Sequence, residues 1–192
     1  MGDPPPQHMY RGELVYLGAV ELADVIEDGA LISDAEIGPL LGIKFPISHD
    51  GAERFAKEML EQVGKSLFPF NICLLADGRR IGAATLRDVD RENGKAEVAI
   101  FLSARNLLGH GYGTDALRCL CDFGFGELRL ERIELVVFDF NTRAIRSYEK
   151  AGFQTEVVKR HARFHRGRHH DVLVMSILRD EWEAQDRRRA WE

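Results

Sequence analysis

LLGHGYGTDAL, residues 107–117, decides how the rest of the chain is read. Glycines stand at 109, 111 and 113, and the run passes straight into Ala116, Leu117, Leu120 and Phe123, which recur at helical spacing. Glycine lets backbone amides approach a ligand unobstructed, and a helix start leaves its first N–H groups unpaired and positively polarised. Together they make a cradle for an anion, most naturally a phosphate. Two familiar phosphate loops fail against the letters. A Walker loop requires a Gly-Lys-Ser/Thr ending, and no lysine stands here; a dinucleotide fingerprint requires G-x-G-x-x-G, whereas these glycines give G-x-G-x-G. The loop alone leaves its anion unnamed.

Outward from the loop, the chain reads as alternating strands and helices. Residues 97–102 before it form a strand, and residues 114–125 a helix with Ala116, Leu117, Leu120 and Phe123 or Gly124 inward. Residues 132–140 have the β-branched and aromatic content of a buried strand, and residues 142–150 form a helix closed by Gly152. Residues 154–164 and 169–178 are two long strands around Arg166-Gly167-Arg168. Upstream, residues 14–17 are a short strand, residues 20–42 hold one or two helices broken near Gly29 or Gly38, and residues 49–63 form a helix capped at Ser48. That helix has Phe55, Met59 and Val63 on one stripe. Residues 70–76 and 80–86 flank the turn Asp77-Gly78-Arg79, so a hairpin followed by the strand at 97 is the simplest reading.

Composition sets the frame. A chain of 192 residues with 45% hydrophobic content suits one well-cored domain, here residues 10–183, after a loose proline-containing leader (1–9) and before a frayed tail (184–192). A net charge of −5 argues against a general nucleic-acid binder. No apolar run approaches the roughly 18 residues of a membrane span, and no secretory signal opens the chain, so a cytoplasmic protein is expected. Cys119 and Cys121 lie two apart on a helix and point to different sides, which suits a reducing compartment.

The segment FDFNTRAIRSYEKAGF, residues 138–153, changes the reading of the loop. Asn141, Ala144, Tyr148, Gly152 and Phe153 match N-x-x-A-x-x-x-Y-x-x-x-G-F, and with the loop they resemble the GNAT superfamily, whose members transfer an acetyl group from acetyl-CoA to an amine. Leu108-x-x-Gly111-x-Gly113 is similar to that family's pyrophosphate motif, Gln/Arg-x-x-Gly-x-Gly/Ala, with Leu108 in place of the charged or amide residue. Residues 161–182 resemble the closing hairpin of the branch containing ribosomal-protein alanine and spermidine acetyltransferases. The resemblance runs over residues 14–182 and is strong after Glu97.

The resemblance implies an α/β (α+β) fold: a mostly antiparallel mixed sheet of about seven strands, flanked by about four helices and splayed where acetyl-CoA lies. It implies coenzyme contacts from Leu108, Gly109, His110, Gly111, Tyr112, Gly113 and Thr114, from Ile100, Phe101 and Leu102 on the splayed strand, and from Asn141 and Ala144. Tyr148 is implied as general acid beside the coenzyme sulfur, and Glu97 as part of a proton wire. By themselves Tyr148 reads more readily as core packing than as a catalyst, Glu97 at least as readily as a solvated strand-end carboxylate, and Asn141 as a helix cap. The partners are acetyl-CoA and an amine, either on a small molecule such as a polyamine or at a protein N-terminus; a homodimer or larger homo-oligomer is left open. A catalytically silent acyl-CoA-binding module is the alternative class, and Tyr148 argues against it. His161, His165, His169 and His170 fall on a strand hairpin without a cysteine or carboxylate cluster, so no metal site is expected. The same hairpin borders the acceptor cleft in relatives.

Overall fold

The computed structural model describes residues 9–192, so the leader expected at residues 1–9 lies outside it except for Met9. The elements run β1 (Val15–Gly18), α1 (Leu22–Leu31), α2 (His49–Glu61), β2 (Phe68–Leu74), β3 (Arg80–Asp90), β4 (Lys95–Leu102), α3 (Tyr112–Gly126), β5 (Arg132–Phe138), α4 (Thr142–Ala151), β6 (Gln154–His165), β7 (Arg168–Leu178) and α5 (Arg179–Glu183). A 3₁₀ turn, Gly38–Leu41, lies between α1 and α2. The strands make one sheet in the order β1-β2-β3-β4-β5-β7-β6, antiparallel except for β4 beside β5.

Strand alternation explains which helix covers which face. Phe70, Ala84 and Ile100 stand in register and belong with Leu86 and Val98 to one face. That face receives α3: Phe123 meets Phe70 edge-on at 5.0 Å, and Gly124 leaves room for Leu86, Leu130 and Ile133. Ala116, Leu117, Leu120 and Phe123 are buried as the spacing requires, and Cys119 and Cys121 are buried with them. All three cysteines are unpaired thiols, and burial pushes Cys121 up to about 12, so it stays protonated and unreactive. The opposite face receives α1 through polar contacts: the Asn71 side-chain amide donates to the Ala19 carbonyl and to Asp24, and Arg80 pairs with Asp28.

Two expectations need correcting. The helix α2 ends at Glu61, short of Val63, which is 44% exposed; Phe55 is 58% exposed, and the buried residues of the helix are Ala52 and Ala56. The reason is close helix packing: α2 meets α1 where Gly29 faces Ala52, and a Cβ on Gly29 would stand 2.5 Å from that of Ala52. Only small residues fit such a crossing, so the larger apolar side chains are turned outward. Ser48 does cap this helix, accepting from the Gly51 amide at 3.1 Å.

The second correction concerns residues 184–192, which are anchored rather than frayed. Asp122 of α3 is fully buried; it accepts from the Trp182 indole at 2.7 Å, from both terminal nitrogens of Arg187 at 2.9 and 2.5 Å, and from the Ala190 amide at 2.8 Å. Trp182, on the added fifth helix α5, stacks on Phe125 at 5.2 Å, and Arg189 lies 4.3 Å over the Trp182 ring. Ala190 itself is buried, and its carbonyl accepts from the Arg11 amide. The terminal segment thus closes the outer side of α3.

Candidate functional site

The glycine loop runs directly into the N-terminus of α3. Gly111 is the N-cap of α3 with φ +88°, a left-handed conformation that side chains resist, and no side chain caps the helix. Helix geometry leaves the amides of Tyr112, Gly113 and Thr114 without carbonyl partners, the first helical bond being Asp115 N–H to the Gly111 carbonyl at 3.0 Å. Gly109, at φ +84°, has open space where a Cβ would stand. His110 and Tyr112 stack their rings at 5.7 Å, Leu108 is half-buried and supplies no charge, and Leu107 anchors the loop in the core.

The loop is held from behind by a residue the sequence reading passed over. Asp115 is buried in the first turn of α3 and accepts from the amides of Glu13, Leu14 and Val15 at 3.1, 2.8 and 3.0 Å. It ties the entry of β1 to the cradle, and an acid in a helix's first turn was its one visible signal.

Beside the cradle the sheet opens. Strands β4 and β5 pair only at Lys95–Arg132, Ala96–Ile133 and Glu97–Glu134, and then diverge. Beyond that vertex, Ile100, Phe101 and Leu102 pair with β3 on one edge only, through Ala84, Ala83 and Gly82. Gly82 is required for this packing, because a Cβ there would overlap the Phe101 carbonyl oxygen. The facing edges of β4 and β5 carry backbone groups that an extended, amide-bearing ligand could pair with.

The third component is α4, joined to α3 by the Thr114 and Ser147 hydroxyls at 2.8 Å and by Arg118 donating to the Lys150 carbonyl at 3.1 Å. Asn141 caps α4, its Oδ1 accepting from the Ala144 amide at 3.3 Å, and Gly152 closes it with φ +106°. Ala144, Ile145 and Tyr148 pack against the core, with the Tyr148 ring 6.1 Å from that of Phe153. Burial in these apolar surroundings pushes the Tyr148 phenol up to about 12, so it is a neutral hydroxyl at physiological pH.

Glu97 belongs to a different cluster, at the vertex. Its carboxylate pairs with the Arg87 guanidinium across β3 and β4. Its neighbour in register is Glu134, which accepts from Arg132 Nε at 2.8 Å. Arg132 also clamps Glu156 at 2.7 and 2.5 Å, and with the Ser176 hydroxyl it holds that carboxyl down at about 2. Sequence reading found Glu97 but not Glu134, because only the parallel register brings the two side by side.

The histidines of the β6–β7 hairpin find ring and carboxylate partners. His161 stacks on His169 at 5.9 Å, His165 on Phe140 at 5.1 Å, and His170 Nδ1 lies 3.0 Å from Asp139. Among the described residues no three His, Cys, Asp or Glu side chains gather at one point that could hold an ion. Nor, among them, is any helix long and apolar enough to cross a membrane.

The family profile described as acetyltransferase (GNAT) domain matches residues 15–154. The uncharacterized N-acetyltransferase YokL of Bacillus subtilis is 28% identical over 176 residues, covering 91% of this chain and 95% of that protein. Spermidine N(1)-acetyltransferase of Escherichia coli is 30% identical over 109 residues, covering 57% of this chain and 58% of that protein. Among solved structures, spermidine N-acetyltransferase from Vibrio cholerae in complex with CoA and spermine superposes with a TM-score of 0.80 at 24% identity, covering 88% of this chain and 98% of that one.

Proposed function

The chain belongs to the GNAT family of N-acetyltransferases, and from that premise we propose that it moves an acetyl group from acetyl-CoA to a primary amine of a small molecule by direct attack of the amine on the thioester. The observation that carries this reading is the uncapped N-terminus of α3 standing next to the opened edges of β4 and β5. A pyrophosphate fits the first and a pantetheine arm the second; when bound, acetyl-CoA supplies the activated acetyl group.

Within that reading each residue has a physical task. The amides of Tyr112, Gly113 and Thr114 hold the pyrophosphate by hydrogen bonds and helix polarity, which offsets the missing charge at Leu108. Gly109 and Gly111 keep that approach clear, and His110 and Tyr112 flank it. Ile100, Phe101 and Leu102 present the β4 edge to the arm, and a main-chain N–H near Phe101 stabilises the acyl oxygen as it gains charge. Asn141 and Ala144 line the arm from α4. Tyr148 keeps its proton at Oη for the departing thiolate.

The acceptor imposes one more requirement. With an alkyl amine pKa near ~10.4, presenting the neutral amine at pH 7 costs about 5 kcal/mol. Glu97, at the vertex between the two strands, is assigned to relay that proton through water.

The test is a thiol-release assay with acetyl-CoA against polyamines, amino acids, aminoglycosides and N-terminal peptides, with the product identified by mass. Amine-dependent thiol release with formation of the acetylated amine is expected. Rapid acetylation of a ribosomal-protein N-terminal peptide with all small amines ignored would replace the small-molecule assignment, and CoA binding without any transfer would reduce the protein to a binding module.

A further inference from the structure

Residues 159–170 carry Lys159, Arg160, Arg163, Arg166 and Arg168 and no acidic side chain. Among these cations Arg163 has a distinctive setting. Its guanidinium lies 4.8 Å over the Phe138 ring, and its Nε is buried with no hydrogen-bond partner. Phe138 ends β5, the strand whose inner edge is opened by the splay. The far rim of its ring faces the turn at Gly42, whose position would put a Cβ 3.8 Å from the Phe138 Cζ. The hairpin tip reaches the same link between α1 and α2, where Arg166 donates to the Ala35 carbonyl at 3.4 Å. Phe138 and Arg163 therefore lie where the end of β5, the hairpin and the link between α1 and α2 come together.

Charge over residues 159–170 is one-sided. Asp139 is already engaged, by His170 Nδ1 at 3.0 Å and by the Asp171 amide at 3.1 Å, and Asp171 in turn accepts from the His161 amide at 2.8 Å. His165 is held below the ordinary histidine range by burial and by the surrounding positive charge of Arg166, Arg163, His170 and Arg168. A polycation entering here would meet the basic hairpin, whereas an anionic group would find a planar guanidinium that has no carboxylate partner among the described residues.

We infer that the acceptor carries a carboxylate or phosphate near its reactive amine and that Arg163 receives that group. This rests on the acetyl-transfer reading above and narrows its substrate class away from polyamines. An Arg stacked on an aromatic ring is pre-organised for such a contact, so little side-chain freedom is lost on binding.

The experiment compares kcat/KM for matched acceptors with acetyl-CoA as donor: 4-aminobutyrate against butylamine, phosphoethanolamine against ethanolamine, and spermidine as the polycation. At least one anionic member should exceed its neutral counterpart by about tenfold or more, and which pair shows the ratio tells carboxylate from phosphate. Arg163→Met should bring that ratio close to one, and Arg163→Lys, which keeps the charge but not the planar fork, should retain part of it. A hairpin merely propped by Arg163 would lose activity on both members of a pair alike, leaving the ratio unmoved. Spermidine turned over faster than either anionic acceptor, or ratios untouched by Arg163→Met, would overturn the inference while leaving acetyl transfer intact. If the protein binds CoA yet acetylates no amine, the transfer reading fails and the inference fails with it.

Discussion

Tyr148→Phe is expected to lower kcat by about 10²- to 10³-fold, with kcat/KM falling in step and the KM for acetyl-CoA nearly unchanged. The substitution removes one oxygen from a half-buried ring and leaves the packing against Phe153 in place, so neither the fold nor coenzyme binding should suffer. What is lost is a proton held ready for the thiolate. Burial pushes the phenol up to about 12, which keeps the protonated form present well above neutrality. The sign is therefore definite: from about pH 6 to about pH 10 the free enzyme should show no falling alkaline limb from Tyr148, and the rate should rise as the acceptor amine loses its own proton. Steady-state kinetics over that range check both points. Full activity in the Phe variant at every pH would return Tyr148 to the role of core packing.

Asp122→Asn is expected to destabilise the protein by about 3–5 kcal/mol, because it leaves the inward-facing Arg187 guanidinium without its counter-charge. The site joins α3 to the terminal segment across 65 residues of sequence, and it also holds the Trp182 indole and the Ala190 amide. Urea unfolding should show the lowered midpoint, and limited proteolysis should find residues 184–192 newly cleavable. Adding Arg187→Met to Asp122→Asn should recover part of the loss, since the uncompensated charge is then gone. An unchanged midpoint would mean that the tail contributes nothing to stability, as its composition alone suggested.

How much of this was legible in the letters follows from the range of each interaction. The glycine loop opening α3 was readable because its signal is local: glycines at 109, 111 and 113 running into apolar residues at helical spacing. The cap at Ser48 and the closure at Gly152 were readable for the same reason. The α2 stripe misled because Phe55 and Met59 outweigh Ala52 in any hydropathy count, whereas the helix crossing at Gly29 selects for small size. The anchored tail, the Glu97–Glu134 neighbourhood and Arg163 over Phe138 all depend on residues distant in sequence, and no periodicity reports such pairs. Asp115 lay between: its place in the first helical turn was visible, but the three amides it accepts from come from about a hundred residues earlier.

Whether the glycine loop holds the coenzyme is decided by calorimetric titration of CoA into the wild-type chain and into Gly111→Val. The valine demands an unfavourable backbone at φ +88° and sits at the mouth of the cradle, while circular dichroism should still report the native secondary structure. One CoA should bind per chain, with an affinity weakened at least about tenfold by the substitution. Equal affinity in the two proteins, or binding of ATP or NAD in place of CoA, would contradict that role of the loop.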